Sequence, residues 1–191
     1  MLVLALAISL AQAAPPQQPP PEDFDLLPKE AAPDAAAIAR QKELEGKLKL
    51  RRTMLRLHQL GGFLTLGALS LTVVFGQLDY QDKYGGGGDT GRFHALHRWT
   101  AFTGAGIFAV TGALAVFAPS PIEKKLQLDT ATLHKIAMAT ATAAMATEIV
   151  LGIITASREG RISQRDFALA HQIVGYTALV ATAAGFTVLT F

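Results

Sequence analysis

Four long apolar stretches constrain the fold of this chain most strongly. Three of them, residues 60–78, 99–119 and 172–191, contain no charged side chain, and the fourth, 136–157, contains only Glu148. Each approaches the ~20 residues that a helix needs to cross ~30 Å of hydrocarbon. Surface helices of a soluble bundle would carry a charged stripe, which these stretches lack. The sequence therefore predicts an all-α membrane protein with four transmembrane helices.

The connections between these stretches are short. A glycine-rich loop follows the first at residues 84–89, a Pro-Ser-Pro break follows the second at 119–121, and residues 157–165 link the last two. Short links place consecutive helices side by side in opposite directions. We therefore expect an antiparallel up-down four-helix transmembrane bundle at 57–191, with spans at about 57–78, 95–118, 132–156 and 169–191.

Three segments precede the bundle. Residues 1–13 have a short apolar core and end in Ala11-Gln12-Ala13, a pattern typical of a secretory signal peptide. Residues 14–34 are rich in proline and indicate a disordered tether. Good helix formers follow Asp34, a favourable cap, and predict a basic, amphipathic, extramembrane stem helix at 35–56.

Two sequence signals disagree on membrane orientation. A cleaved signal peptide places the stem outside the cytoplasm, whereas nine Lys and Arg residues at 42–56 and 124–135 on the stem side, against six on the other, favour a cytoplasmic stem. We give more weight to the apolar segment, its cleavage site and the proline-rich stretch, because they occur together. The expectation is an integral protein of the bacterial inner (cytoplasmic) membrane, with its N-terminus outside the cytoplasm.

Composition excludes several classes of site. The chain has no cysteine, so disulfides, thiolate metal sites, iron–sulfur clusters and covalent c-type haem attachment are ruled out. The net charge is only +2, and the basic residues adjoin the membrane entry rather than a groove-reading element, so we expect no binding of nucleic acid.

Four histidines mark the starts of the four stretches. His58, His97, His134 and His171 are 39, 37 and 37 residues apart. Because successive spans alternate in direction, His58 can meet His134 at one membrane face and His97 can meet His171 at the other. An imidazole on each side of a planar macrocycle is the ligation of a six-coordinate b-type haem. The spacing thus predicts two non-covalent haems with these histidines as axial ligands to iron.

Other residues near these positions leave alternatives open. Zinc or copper bound by four histidines is disfavoured, because the two pairs are expected roughly 30 Å apart. His94 lies one turn before His97 and could replace it as a ligand or contact a reductant. Glu148 should face the bundle near the level of His97 and His171, where it could carry protons, contact a quinol, tune a haem or simply hydrogen-bond a neighbouring helix.

Small residues close to the histidines are expected to make room for a tetrapyrrole beside the helix backbones, although the same residues also serve ordinary tight packing of membrane helices. They are Gly61, Gly62, Ala101, Gly104 and Gly175.

The stretch FHALHRWTAFTGAGIFAVTGALAVF, followed by LHKIAMAT and AHQIVGYT, resembles the cytochrome b561 family of transmembrane electron carriers. The resemblance covers about residues 53–191 and rests on four histidines in matching helices. It implies a four-helix core with one b-type haem near each face, held by His58 with His134 and by His97 with His171. In that family some members accept electrons from ascorbate at a basic site, which has no clear counterpart here.

The expected function is that of a dihaem cytochrome carrying single electrons across or within the lipid bilayer. The donor would be a quinol or small reductant, and the acceptor a redox protein partner or ferric iron. Two alternatives remain: a haem-free anchoring or assembly subunit of a membrane redox complex, and a small proton-linked transporter. No bond-making catalytic residues are expected beyond this redox step.

Overall fold

The computed structural model describes residues 34–121 and 127–190, and within them the chain is a set of four helices without strands. These are α1 (Ala35–Tyr84), α2 (His94–Val116), α3 (Thr130–Ser157) and α4 (Gln164–Thr190). All four are long and apolar enough to cross a membrane. The predicted all-α four-helix class is confirmed. The expected signal peptide and nearly all of the expected tether lie outside the described residues.

The stem and the first span form one continuous helix. The carboxylate of Asp34 caps its first turn, accepting a hydrogen bond from the backbone N–H of Ala36 at 3.1 Å. From there α1 runs 50 residues without a break to Tyr84. The sequence gives no reason for a break, since residues 50–60 contain neither glycine nor proline. The boundary expected near residue 56, between the stem and the first span, is therefore a change from charged to apolar residues along one helix.

The helices pack as two antiparallel hairpins. Contacts run along α1 and α2 and along α3 and α4, and the hairpins meet through α1 and α4. Gly61 and Gly76 of α1 lie against Thr111 and His97 of α2 respectively, so the two helices run in opposite directions. No other pair of helices in the described residues packs extensively. The seam between α2 and α3 is therefore comparatively open.

The small protein core lies midway along the bundle. Leu69 of α1, Ala144 and Met145 of α3 and Ala178 of α4 are buried together. Large apolar side chains elsewhere face outward, Trp99, Phe102 and Ile153 being 67, 64 and 66% exposed. Exposed apolar surface of this extent belongs in a membrane. The protein is therefore an integral membrane protein.

The two hairpins are structural repeats of one another. Aligning α3 on α1 with an offset of 76 residues, and α4 on α2 with an offset of 74, superimposes identical residues in sequence. The repeating unit is thus a two-helix hairpin. The matched identities include His58 with His134, Gly76 with Gly152, Phe93 with Phe167, His97 with His171 and Thr103 with Thr177.

Candidate functional site

Two pairs of histidines occupy two levels of the bundle. The ring centres of His58 and His134 are 6.0 Å apart, with their planes at 88°. Those of His97 and His171 are 5.9 Å apart, with their planes at 77°. Each pair joins equivalent positions of the two repeats. The structure thus brings together the same partners that helix alternation predicts.

Every one of the four rings is oriented by a backbone carbonyl on the helix beside it. Nδ1 of each ring lies within hydrogen-bonding distance of that oxygen, and a carbonyl oxygen can only accept, so Nδ1 carries the proton. The Nε2 atom then keeps its lone pair, which is the form that binds a metal. The four bonds are His58 to Thr111 at 2.8 Å, His97 to Thr72 at 3.1 Å, His134 to Gly185 at 2.8 Å and His171 to Glu148 at 3.1 Å.

The spacing of the rings matches what a shared metal ion requires. A nitrogen–metal bond is about 2.0 Å, and a ring atom lies about 1.1 Å from the centre of a five-membered ring with bonds near 1.33 Å. Two imidazoles on opposite sides of one ion therefore have ring centres about 6.2 Å apart. The observed 6.0 and 5.9 Å are close to this value. All four histidines are only half-buried, so the protein alone does not enclose them.

Two glycines leave room for the rings of His97 and His171. A Cβ atom built on Gly76 would lie 2.8 Å from Cε1 of His97, and one built on Gly152 would lie 3.1 Å from Cε1 of His171. Gly76 and Gly152 are equivalent in the repeat, and each comes one turn after the residue whose carbonyl holds the ring. Both rings therefore lie directly against the backbone of the adjacent helix.

Of the glycines expected to make room, Gly61, Gly62, Gly104 and Gly175, none has a histidine ring among its nearest neighbours in the described residues. Gly61 approaches Thr111, Gly175 approaches the Glu148 carboxylate, and Gly104 is in ordinary contact with Leu69. Side chains of a packed helix meet the neighbouring helix. The glycine beside a histidine ring therefore belongs to another helix, and sequence proximity does not find it. The sequence signal that does identify these glycines is their equivalence in the repeat, where Gly76 corresponds to Gly152.

Glu148 distinguishes the two members of one pair. Its carboxylate Oε1 lies 3.2 Å from Nδ1 of His171, so that nitrogen faces both the main chain and the side chain of the same residue. Oε2 is buried and has no hydrogen-bond partner among the residues that the structure describes. At the equivalent position beside His97 the chain has Thr72. The expectation that Glu148 points inward at this level agrees with the structure, and only one ring has a carboxylate neighbour.

His94 lies apart from both pairs. Its Nδ1 is 3.3 Å from Oδ2 of Asp79, and its side chain is 66% exposed. His97, one turn later, is the residue whose ring stands opposite His171. His94 thus belongs to the polar edge of the bundle near the loop between α1 and α2.

The two histidine pairs are separated along the bundle axis. His58 and Thr72, which mark the two levels on α1, are 14 residues apart, and this corresponds to about 21 Å of helix. That is shorter than the roughly 30 Å expected from the sequence, because the paired rings lie inside the helix ends. Four histidines at two such levels cannot bind one zinc or copper ion. In residues 34–121 and 127–190 there is also no group of three or more His, Cys, Asp or Glu side chains suited to a metal ion.

Comparisons of the whole chain with protein-family models, curated proteins and solved structures give no match. The resemblance to the cytochrome b561 family therefore depends on the residues of this chain alone.

Proposed function

We propose that this protein is a transmembrane b-type cytochrome of the cytochrome b561 family. It would hold two haems, one between His58 and His134 and one between His97 and His171. The observation that carries this proposal is the shared arrangement of all four rings. Each Nδ1–H donates to a backbone carbonyl, and each Nε2 lone pair is left for an axial bond.

The packing of the bundle supports the same conclusion. The described protein core is concentrated at Leu69, Ala144, Met145 and Ala178, between the two histidine levels. The seam between α2 and α3 lacks extensive contact. A flat macrocycle needs space between helices at the histidine levels and dry protein between the two sites.

When bound, haem supplies a reversible one-electron couple at iron. The residues of the chain hold the haems and set their surroundings. The four histidines would hold the iron through Nε2, and the carboxylate of Glu148 lies beside Nδ1 of His171 at one of the two sites. The apolar core excludes water between the sites, which keeps the local dielectric low.

We infer that single electrons pass between the two levels, from a quinol or small reductant to a redox protein or ferric iron. The signal-like segment 1–13 supports location in the bacterial inner membrane with the N-terminus outside the cytoplasm. On that basis the His58–His134 level lies nearer the outer face, since α1 enters the membrane from the stem. A reporter fused after Phe191 tests this orientation, because the C-terminus is expected on the stem's side.

A visible spectrum of the purified protein tests the central proposal. A reduced α-band of b-type haem at two haems per chain is expected. A colourless preparation would leave the haem-free subunit or the proton-linked transporter as the remaining candidates. His97→Ala should lose one haem, and the matched variant His94→Ala should retain both. Equal loss in the two variants would contradict the assignment of His97 as the ligand.

A further inference from the structure

A polar cluster lies on the seam between α1 and α4. The side-chain oxygen Oε1 of Gln77 accepts hydrogen bonds from both Nε2 of Gln172 and the hydroxyl of Tyr176. Gln77 directly follows Gly76, against which His97 packs, and Gln172 directly follows His171. The cluster therefore lies beside the His97–His171 pair.

The cluster has hydrogen-bonding capacity left over. In the part of the chain that the structure describes, no bond is made by the amide N–H groups of Gln77 or by the amide oxygen of Gln172. Both amides are half-buried, Tyr176 is 40% exposed, and Ile173 beside it is 57% exposed. Amide groups without partners are costly next to hydrocarbon. A ligand from the lipid phase with both a donor and an acceptor would satisfy them.

The equivalent positions of the internal repeat do not carry the same polar residues. The equivalent positions on the other seam, between α2 and α3, are Ile153 for Gln77, Arg98 for Gln172 and Phe102 for Tyr176. Ile153 and Phe102 are exposed, as expected of lipid-facing side chains. Of the two equivalent seams, the one between α1 and α4 thus combines amides and a hydroxyl. Glu148 of α3 lies close to this seam, against Gly175 of α4.

We propose that Gln77, Gln172 and Tyr176 bind the head group of a lipid-soluble quinol. This inference rests on the proposed cytochrome function. A quinol hydroxyl would donate to the free oxygen of Gln172, and an N–H of Gln77 would donate to a quinol oxygen. Oxidation of one quinol to the quinone would release two protons and two electrons, and the two electrons would pass to the two proposed haems, one to each. The tail of the quinol would lie along the exposed apolar side chains of α4.

Binding of decylubiquinone to the full chain in lipid nanodiscs tests the site without requiring turnover. Isothermal titration on Gln77→Leu, which removes a donor to the quinone, and on Tyr176→Phe, which removes the hydrogen bond that holds the Gln77 amide in place, should give affinities weakened about fivefold or more, the effect of one lost hydrogen bond. Phe102→Leu, at the equivalent position of the other seam, is the matched control and should bind as the unaltered protein does. In rapid mixing, haem reduction by decylubiquinol should slow in the two cluster variants, while reduction by dithionite should not.

The structural alternative predicts a different result. If the cluster only ties α1 to α4, both variants should lower the thermal unfolding temperature and change quinone affinity by less than about twofold, which would overturn the proposal. Equal weakening in Phe102→Leu would also overturn it, because binding would then be non-specific. A red, dithionite-reducible protein with unchanged quinone binding refutes this site alone, whereas a colourless protein refutes the cytochrome proposal.

Discussion

Replacing Gly76 by alanine tests the site more directly than removing a histidine, because it leaves every ligand in the chain. The new Cβ would lie 2.8 Å from Cε1 and 2.9 Å from Nδ1 of His97. Carbon atoms attract one another best at about 3.5–4.0 Å, so the ring has to withdraw by about 0.7 Å or more. Its hydrogen bond to the carbonyl of Thr72 is already 3.1 Å long and would be weakened or lost.

Two effects of opposite sign follow from this displacement. The lost hydrogen bond costs about 1 kcal/mol, and the ring moves further than the ~0.5 Å within which a ligand has to be held. Alanine in place of glycine meanwhile stabilises the interior of a helix by up to about 1 kcal/mol. The Gly76→Ala protein should therefore remain folded and lose one of the two proposed haems.

Haem stoichiometry from the pyridine haemochrome, with a thermal unfolding curve, measures both effects. Gly67→Ala is the matched control on the same helix, since a Cβ there meets nothing within 4 Å, and it should keep two haems. Gly152→Ala should be milder, because its Cβ would lie 3.1 Å from the ring of His171. Two haems with an unchanged spectrum in Gly76→Ala would refute the reasoning.

Three further predictions concern charge and packing. Glu148→Gln removes a negative charge close to one site and should raise the midpoint potential of one haem by roughly 100 mV at most, taking an effective dielectric constant of about 20; redox titration with no shift in either haem would contradict it. Leu69→Ala opens a cavity in the small core and should lower the free energy of unfolding by about 2 kcal/mol or more, as measured by detergent-induced unfolding, and an unchanged transition would contradict this. Partial burial lowers the pKa of Lys83, but its hydrogen bond to Glu159 and the nearby charges of Asp89, Glu159 and Tyr84 together outweigh this, so that the pKa is raised above the usual value. The stability lost in Lys83→Met should therefore be constant from neutral pH to about pH 10.4 and disappear at higher pH, and it should be under about 1 kcal/mol because Glu159 is exposed; a loss that already declines between neutral pH and that value would contradict this assignment.

The partners in each histidine pair could be predicted from sequence because they depend only on helix length and alternating direction. Long apolar runs indicate the helix lengths, and short polar links indicate the alternating directions. The distinction between His94 and His97 is also partly predictable, since His97 lies deeper and keeps the even spacing. The structure adds the reason, which is that Asp79 lies beside His94 at the bundle edge.

The contacts that orient the rings could not be predicted in the same way. They depend on the axial register and rotation of neighbouring helices, which hydropathy does not determine. Gly76 lies 21 residues before His97 in sequence, yet its backbone contacts that ring. The repeat offset of 76 residues does single out Gly76 and Gly152, so comparing the two halves would have found them. A change from charged to apolar residues near residue 56 does not distinguish a break between two helices from a change of environment along one, and the structure has the single helix α1 there.

The presence of both hairpins in one chain has a consequence for how the two sites can differ. If the same site were assembled from two identical hairpins, any substitution would appear on both sides of the iron. Here the two halves carry separate codons, so position 72 can be threonine while its counterpart 148 is glutamate. Likewise one seam can have Gln77 while the other has Ile153. A single chain can thus have polar side chains on one seam of a symmetrical scaffold and lipid-facing apolar side chains on the other. Its two seams can therefore differ, which those of a homodimer of hairpins could not.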